Sequence, residues 1–305
     1  MNQSTTKPAL GSWIKAFRLR TLPLALSCTV TGSFMAVASG RWNGTVIALT
    51  ALTTLLLQIL SNLANDYGDG IKGTDNQQRI GPERTIQSGE ISVDAMKRMI
   101  ILVALLSFIS GIFLIFFSLK NHWITAIVFL VLGIAAILAA VKYTVGVKAY
   151  GYYKLGDLFV FLFFGLTGVM GSYYLNTLTL SWDSILPAIT IGLFSTGVLN
   201  LNNMRDIDND AVSKKKTIAS ALGLQKAKYY HLFLIGTGWV AAIVFVLLHY
   251  RSVYNFLFVL TLPLFAKDLT GILKTTDNAM LDPFLKKLAL STFLFSVLFG
   301  VGLLL

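Results

Sequence analysis

The chain alternates long apolar stretches with short polar ones, and nine apolar stretches stand out. They lie at about 20–40, 43–65, 96–118, 123–141, 155–175, 184–204, 230–249, 252–270 and 285–305. A helix that crosses a bilayer needs roughly 20 mostly apolar residues, so each stretch predicts one spanning helix. The expected fold is all-α, a polytopic membrane helical bundle of about nine transmembrane helices. The connecting segments are short and leave no soluble domain over, so residues 1–305 read as a single integral membrane domain.

Composition agrees: 55% of the 305 residues are hydrophobic and 13% charged, too apolar for an ordinary soluble domain. The charges orient the bundle. With the N-terminus in the cytoplasm, only Arg41, Lys120 and Arg251 fall outside, leaving 22 of the 25 basic residues inside. That is the cytoplasmic bias expected of Lys and Arg. It predicts a cytoplasmic N-terminus and cytoplasmic cap loops, where every acidic residue except Asp183 also lies. The net charge of +11 sits in loops between spans, where anionic lipid headgroups explain it without nucleic acid. Cys28, the sole cysteine, excludes a disulfide and a thiolate metal site. It is expected as a small buried apolar residue. Lys15, Arg18 and Arg20 followed by an apolar run ending near Ala36-Val37-Ala38 imitate a signal peptide, but a run of near full span length predicts a retained first helix.

Two polar clusters interrupt this pattern where carboxylates are least expected. One reads Asn62-Leu63-Ala64-Asn65-Asp66-Tyr67-Gly68-Asp69, with Asp75 further on. The other reads Asn202-Asn203-Met204-Arg205-Asp206-Ile207-Asp208-Asn209-Asp210. They are offset by 140 residues, suggesting a pseudo-repeat of four helices, although the halves show no wider similarity. On a helix, residues four apart share a face, so Asn202, Asp206 and Asp210 form one stripe, with Asp208 pointing elsewhere. Asn62, Asp66 and Asp69 form the matching stripe. Like charges at this spacing repel by roughly 0.2–0.5 kcal/mol per pair, and depth in the membrane adds more; a divalent cation removes the penalty. Oxygen ligands without nearby His or Cys favour Mg²⁺, which takes one or two carboxylates and completes its shell with water and phosphate. The clusters can therefore hold Mg²⁺ and a diphosphate, with Lys72, Arg84, Lys142, Lys148 and Arg205 as candidate phosphate clamps. Arg79 is a further cation of the first cluster's loop. Two other readings compete. Acidic residues at a helix end can simply mark the water interface, and a cation-coupled transporter also carries intramembrane carboxylates, usually at mid-membrane.

A diphosphate at the membrane mouth suggests a lipid tail, since each buried CH₂ is worth about 0.8 kcal/mol. Departure of diphosphate leaves an allylic carbocation, which needs a dry, aromatic-lined pocket. Tyr67, Tyr143, Tyr150, Phe159, Phe163 and Tyr173 are candidates by position, and each also fits ordinary packing. Three gly-interrupted or basic loops, at 66–95, 142–157 and 205–228, are placed to cap the site.

The chain resembles the UbiA superfamily of intramembrane aromatic prenyltransferases. The resemblance rests on both Asn-Asp clusters and the nine-span plan, so it covers essentially the whole chain. Finer motifs resemble the branch that prenylates 1,4-dihydroxy-2-naphthoate in menaquinone biosynthesis. They are Phe17-Arg18-Leu19-Arg20-Thr21-Leu22-Pro23, Asn65 to Asp75, Gly81 to Gly89, Tyr143-Thr144-Val145-Gly146, Leu155-Gly156-Asp157 and Asn202-Asn203-Met204-Arg205-Asp206. The chain departs from it at Val147-Lys148-Ala149, where relatives often carry proline. The resemblance implies Mg²⁺-dependent transfer of a polyprenyl group from its diphosphate to that naphthoate, with loss of CO₂ and diphosphate, by a protein of the bacterial inner membrane. It implies Mg²⁺-diphosphate binding by Asn62, Asp66, Asp69, Asn202, Asp206 and Asp210. Arg84, Lys142, Tyr143, Arg205 and Asp75 are the expected substrate contacts. A sister enzyme taking 4-hydroxybenzoate or homogentisate is the alternative within the family.

Overall fold

The computed structural model describes residues 8–75 and 80–305, so Arg79 lies outside the described residues. Among them every regular element is helical, apart from an isolated bridge between Tyr153 and Lys216. Among the described residues, nine segments are long and apolar enough to cross a membrane. They are α1 (Leu10–Ala38), α2 (Gly44–Lys72), α3 (Val93–Leu119), α4 (Trp123–Lys142), α5 (Gly156–Thr177), α6 (Trp182–Arg205), α7 (Ile218–Leu248), α8 (Val253–Lys274) and α9 (Asn278–Leu304).

Local chemistry sets the boundaries. The Asn43 side-chain oxygen accepts from the Thr45 N–H at the start of α2, and Ser92 does the same for Ala95 at the start of α3. Thr217 and Ser220 form a reciprocal capping box at α7. Pro23, Pro263 and Pro283 fall in the first turns of α-helical stretches, where a missing N–H costs nothing. Hydropathy underestimates α2. Its 29 residues rise about 44 Å at 1.5 Å each, past a hydrocarbon core of about 30 Å, because the polar residues up to Lys72 stay helical. Several spans are irregular: Arg18 sits in the left-handed region (φ 52°) and breaks α1, Phe161–Met170 of α5 is π-helical, Gly223 (φ 74°) kinks α7, and α8 opens as a 3-10 helix over Val253–Thr261.

The spans divide into a dense layer and a thin one. Between α6, α7, α8 and α9, the rings of Phe194, Trp239, Phe258, Phe265, Phe295 and Phe299 interlock, with centroids 4.9 Å apart for Phe194–Phe265 and 5.4 Å for Trp239–Phe295. On the other side, Leu60, Leu63 and Ala64 of α2 pack on Met96, Ile100 and Val103 of α3. Of α4 only Ala139 is buried, while Trp123, Ile124, Ile127 and Val131 are exposed, as suits a lipid-facing helix. Residues of α1 to α6 and α9 enclose a cavity of about 390 Å³. Along α2 its wall runs from Thr50 through Thr53, Leu57, Ser61 and Asn65 to Asp69. That stripe is about 28 Å long at 1.5 Å per residue, nearly the depth of a bilayer core.

Candidate functional site

The last turns of α2 carry two interleaved Asn-xxx-Asp pairs, and the fold uses them differently. Asn65 and Asp69 face the cavity. Asn62 and Asp66 lie on the adjacent face. The Asn62 amide donates to the Phe17 carbonyl and to Thr21 Oγ1, both at 2.9 Å, and its oxygen accepts from Gln58; it fastens the bend around Arg18. Asp66 Oδ2 accepts from the Thr85 hydroxyl (2.7 Å) and N–H (3.3 Å), anchoring the loop that follows α2. That loop delivers buried Arg84 to the cavity wall, with its Nε 3.8 Å from Asp75 Oδ2.

The second cluster sits on a break rather than on a continuous helix. α6 ends at Arg205, Asp206 leaves the helical region (φ −96°, ψ 11°), and a short helix, Ile207–Val212, restarts the chain. Arg205 holds the break. Fully buried, it donates to both oxygens of Asp206 (2.8 and 2.7 Å), to Asn202 Oδ1 (2.9 Å) and to Asp282 of α9 (2.5 Å). Its guanidinium is thus spent behind the site, and Asn202, Asp206, Asn209 and Asp210 line the cavity. Asp208 is exposed and accepts from Asn278.

Residues between the clusters lock the two halves together. The Asn209 amide donates to the Thr74 carbonyl (2.8 Å). The Tyr152 hydroxyl donates to Asp69 Oδ1 (2.7 Å) and pairs with Thr74 Oγ1 (2.6 Å). Buried Lys215 places Nζ 3.9 Å from Asp69 Oδ2 and 3.8 Å from Asp210 Oδ1. Burial works against the Lys215 ammonium, but Asp69 and Asp210 hold its pKa above the ordinary value. Burial pushes Asp210 up to about 7; Lys215 opposes the rise, and Asp206 and Asp69 add to it. Burial likewise pushes the Tyr143 phenol up to about 12, so it stays neutral.

Below the acids the wall turns aromatic. Tyr143 meets Tyr150 edge-on (5.3 Å), Tyr150 stacks on Phe159 (4.1 Å), and Phe159 stacks on Phe163 at the start of the π-helical stretch (6.2 Å). All four line the cavity. Close backbone approach puts Tyr143 there. A Cβ on Gly68 would lie 2.6 Å from Thr144 Oγ1, whose hydroxyl donates to the Ala64 carbonyl. Tyr67 and Tyr173 instead pack against the apolar cores.

The predicted residues therefore separate. Asp69, Asp75, Arg84, Tyr143, Asn202, Asp206 and Asp210 come together on the cavity wall; Asn62, Asp66 and Arg205 stand one step behind it. Lys72, Lys142 and Lys148 are exposed. Sequence reasoning passed over Asn65, Asn209, Tyr152 and Lys215. Asn65 could be found by its spacing of four from Asp69, whereas nothing in the run Lys214-Lys215-Lys216 distinguishes the buried middle lysine from its exposed neighbours.

The donor set suits a hard divalent cation. It is all oxygen, and on the cavity wall buried Asn209 Oδ1 and Asp210 Oδ2 have no hydrogen-bond partner among the described residues. Nor do three acidic, His or Cys side chains among those residues converge into a closed cage.

The chain is 45% identical over 301 residues to the 1,4-dihydroxy-2-naphthoate octaprenyltransferase of Haemophilus influenzae, covering 97% of this chain and 96% of that one. It is 40% identical to the enzyme of the same name from Escherichia coli K12, covering 96% and 94%. A UbiA homologue from Aeropyrum pernix K1 shares the fold, with a TM-score of 0.67 at 16% identity over 93% of this chain and 97% of that one. Residues 25–302 match the model of the UbiA prenyltransferase family. The chain is an integral membrane protein and belongs to that family.

Proposed function

We propose that this protein transfers a polyprenyl group from polyprenyl diphosphate to 1,4-dihydroxy-2-naphthoate, giving a demethylmenaquinol of menaquinone biosynthesis. The observation that carries the reading is the facing of two carboxylate clusters across one mouth of an aromatic-lined cavity of membrane depth. The names and near-complete coverage of the two bacterial relatives support the choice of acceptor.

Asn65, Asp69, Asn202, Asp206 and Asp210 would hold Mg²⁺ and through it the diphosphate, with Arg84 on phosphate oxygens or the acceptor carboxylate. A bound Mg²⁺ supplies charge neutralisation for the leaving diphosphate. The column Tyr143–Tyr150–Phe159–Phe163 excludes water and faces the allylic cation left when the prenyl carbon–oxygen bond breaks. The electron-rich ring supplies the electron pair for the new carbon–carbon bond. Loss of CO₂ then restores aromaticity, so no side chain is needed as a general base. The lipid tail stays in the bilayer. The strong inward bias of Lys and Arg supports a cytoplasmic N-terminus and site mouth, and the two bacterial relatives support a bacterial inner membrane.

The test offers membranes carrying the protein a prenyl diphosphate, Mg²⁺ and, in parallel, the naphthoate, 4-hydroxybenzoate and homogentisate, with products read by mass. A prenylated, decarboxylated naphthalene product is expected, lost in Asp69→Asn and Asp206→Asn. Preference for another acceptor overturns the substrate, and near-normal turnover in either variant overturns the metal site.

A further inference from the structure

Among the described residues, Lys215 is the one cation on the cavity wall that forms ion pairs with both acidic clusters. Its neighbours Lys214 and Lys216 point outward and are exposed, while Lys215 turns in and is buried. The backbone fixes that direction. Lys214 adopts a left-handed turn (φ 55°), the Lys215 N–H donates to the Asp210 carbonyl, and Lys216 is bridged to the loop of Tyr152 through Lys154 N–H to Lys216 carbonyl (2.8 Å). The ammonium itself is held differently. It stands 3.8 and 3.9 Å from its two carboxylates, beyond hydrogen-bond range, and 5.5 Å from the Tyr152 ring. It is attracted by charge without being locked by geometry, at the end of a flexible four-carbon stem.

Resting on the metal-diphosphate reading above, we propose that Lys215 is a tethered stand-in for the divalent cation. While the site holds no metal diphosphate, its ammonium neutralises Asp69 and Asp210 and keeps the two halves of the cap together. When the metal arrives, Lys215 yields those carboxylates and turns to the diphosphate. The absence of a closed three-ligand cage among the described residues fits this account, because the ligands are parted around a cation already present. Lysine and free metal thus compete for the same oxygens. A lysine that acted only as a phosphate clamp would leave metal affinity untouched.

The sign of that competition is the test. Full-length protein in detergent is heated across a series of Mg²⁺ concentrations without substrate, and again with inorganic diphosphate present. Lys215→Met keeps the stem and removes the charge. It is expected to unfold at a lower temperature without metal and to reach half-maximal Mg²⁺ stabilisation at a concentration about tenfold lower than wild type, the scale of one lost charge interaction. Lys215→Arg keeps the charge in a form that grips carboxylates bidentately. It should retain the metal-free melting temperature and need more Mg²⁺, which keeps the idea testable if the Met variant fails to fold. Equal Mg²⁺ midpoints in wild type and the folded variants overturn the stand-in role and leave the metal reading intact. No shift by Mg²⁺ in any of them, with or without diphosphate, overturns both.

Discussion

The two acidic clusters share one spelling, Asn-xxx-Asp, and differ in almost everything the fold does with it. The first lies on an unbroken helix whose face decides function: Asn65 and Asp69 turn to the cavity, while Asn62 ties down the bend within α1 and Asp66 the loop after α2. The second lies across a break, where Arg205 gathers Asn202, Asp206 and Asp282. The 140-residue offset pairs Asn62 with Asn202 and Asp66 with Asp206, yet the members that share the cavity are Asn65 with Asn202 and Asp69 with Asp206. The clusters are therefore alike in chemistry and unlike in construction, and substitutions should separate the two properties.

The largest effect is expected at the shared chemistry. Asp69→Asn and Asp206→Asn remove charge from opposite sides of the same mouth, and each should lower kcat by about 10²–10³-fold, the usual scale for a deleted electrostatic stabiliser. Asp66→Asn keeps an oxygen for Thr85 and lies off the cavity wall, so it should lose far less. Steady-state rates of the three variants in membranes of matched protein content check the ranking, and equal losses at Asp66 and Asp69 would erase the proposed division of faces.

The construction is tested next. Arg205→Leu strips the clamp from Asp206 and Asp282 inside the protein, and breaking a buried pair in this way costs about 3–5 kcal/mol. A sharp fall in the melting temperature of the detergent-purified protein is expected. The first cluster has no equivalent keystone among the described residues. There, Asn62→Ala should cost about 1–3 kcal/mol by orphaning the Phe17 carbonyl, with rates of the folded fraction preserved. Asn65→Ala should do the reverse, lowering rate with little change in melting temperature. If Asn62→Ala proves the more damaging to rate, the stripe has been read on the wrong face.

These contrasts mark how far the sequence could be read. Nine spans were legible because lipid imposes length and hydropathy directly on the chain. The acidic mouth was legible because carboxylates ending apolar stretches are rare. The face of α2 was not, since Asn62/Asp66 and Asn65/Asp69 have the same spacing and only the packing of Phe17–Thr21 and Thr85 selects between them. Nor was the break at Asp206, which no Gly or Pro announces; it depends on an arginine whose partner lies 77 residues on. Lys215 was hidden inside a lysine run that reads as a solvated surface.

The smallest expected effect sharpens the same comparison from outside. Lys142 ends α4 beside Tyr143 and, by sequence, is as good a phosphate ligand as Arg84. In the fold Arg84 is buried on the cavity wall 3.8 Å from Asp75, whereas Lys142 is exposed. A surface lysine interacts through water and salt, which screen it within about 10 Å at moderate ionic strength. Lys142→Ala should therefore leave KM for the prenyl diphosphate within about twofold of wild type and the melting temperature unchanged, and Asp208→Asn should do the same, as expected of surface positions. Arg84→Ala should raise that KM well beyond this range. A KM that rises as steeply for Lys142→Ala as for Arg84→Ala would mean that the loop at 142–157 closes over the bound headgroup and carries Lys142 into the site.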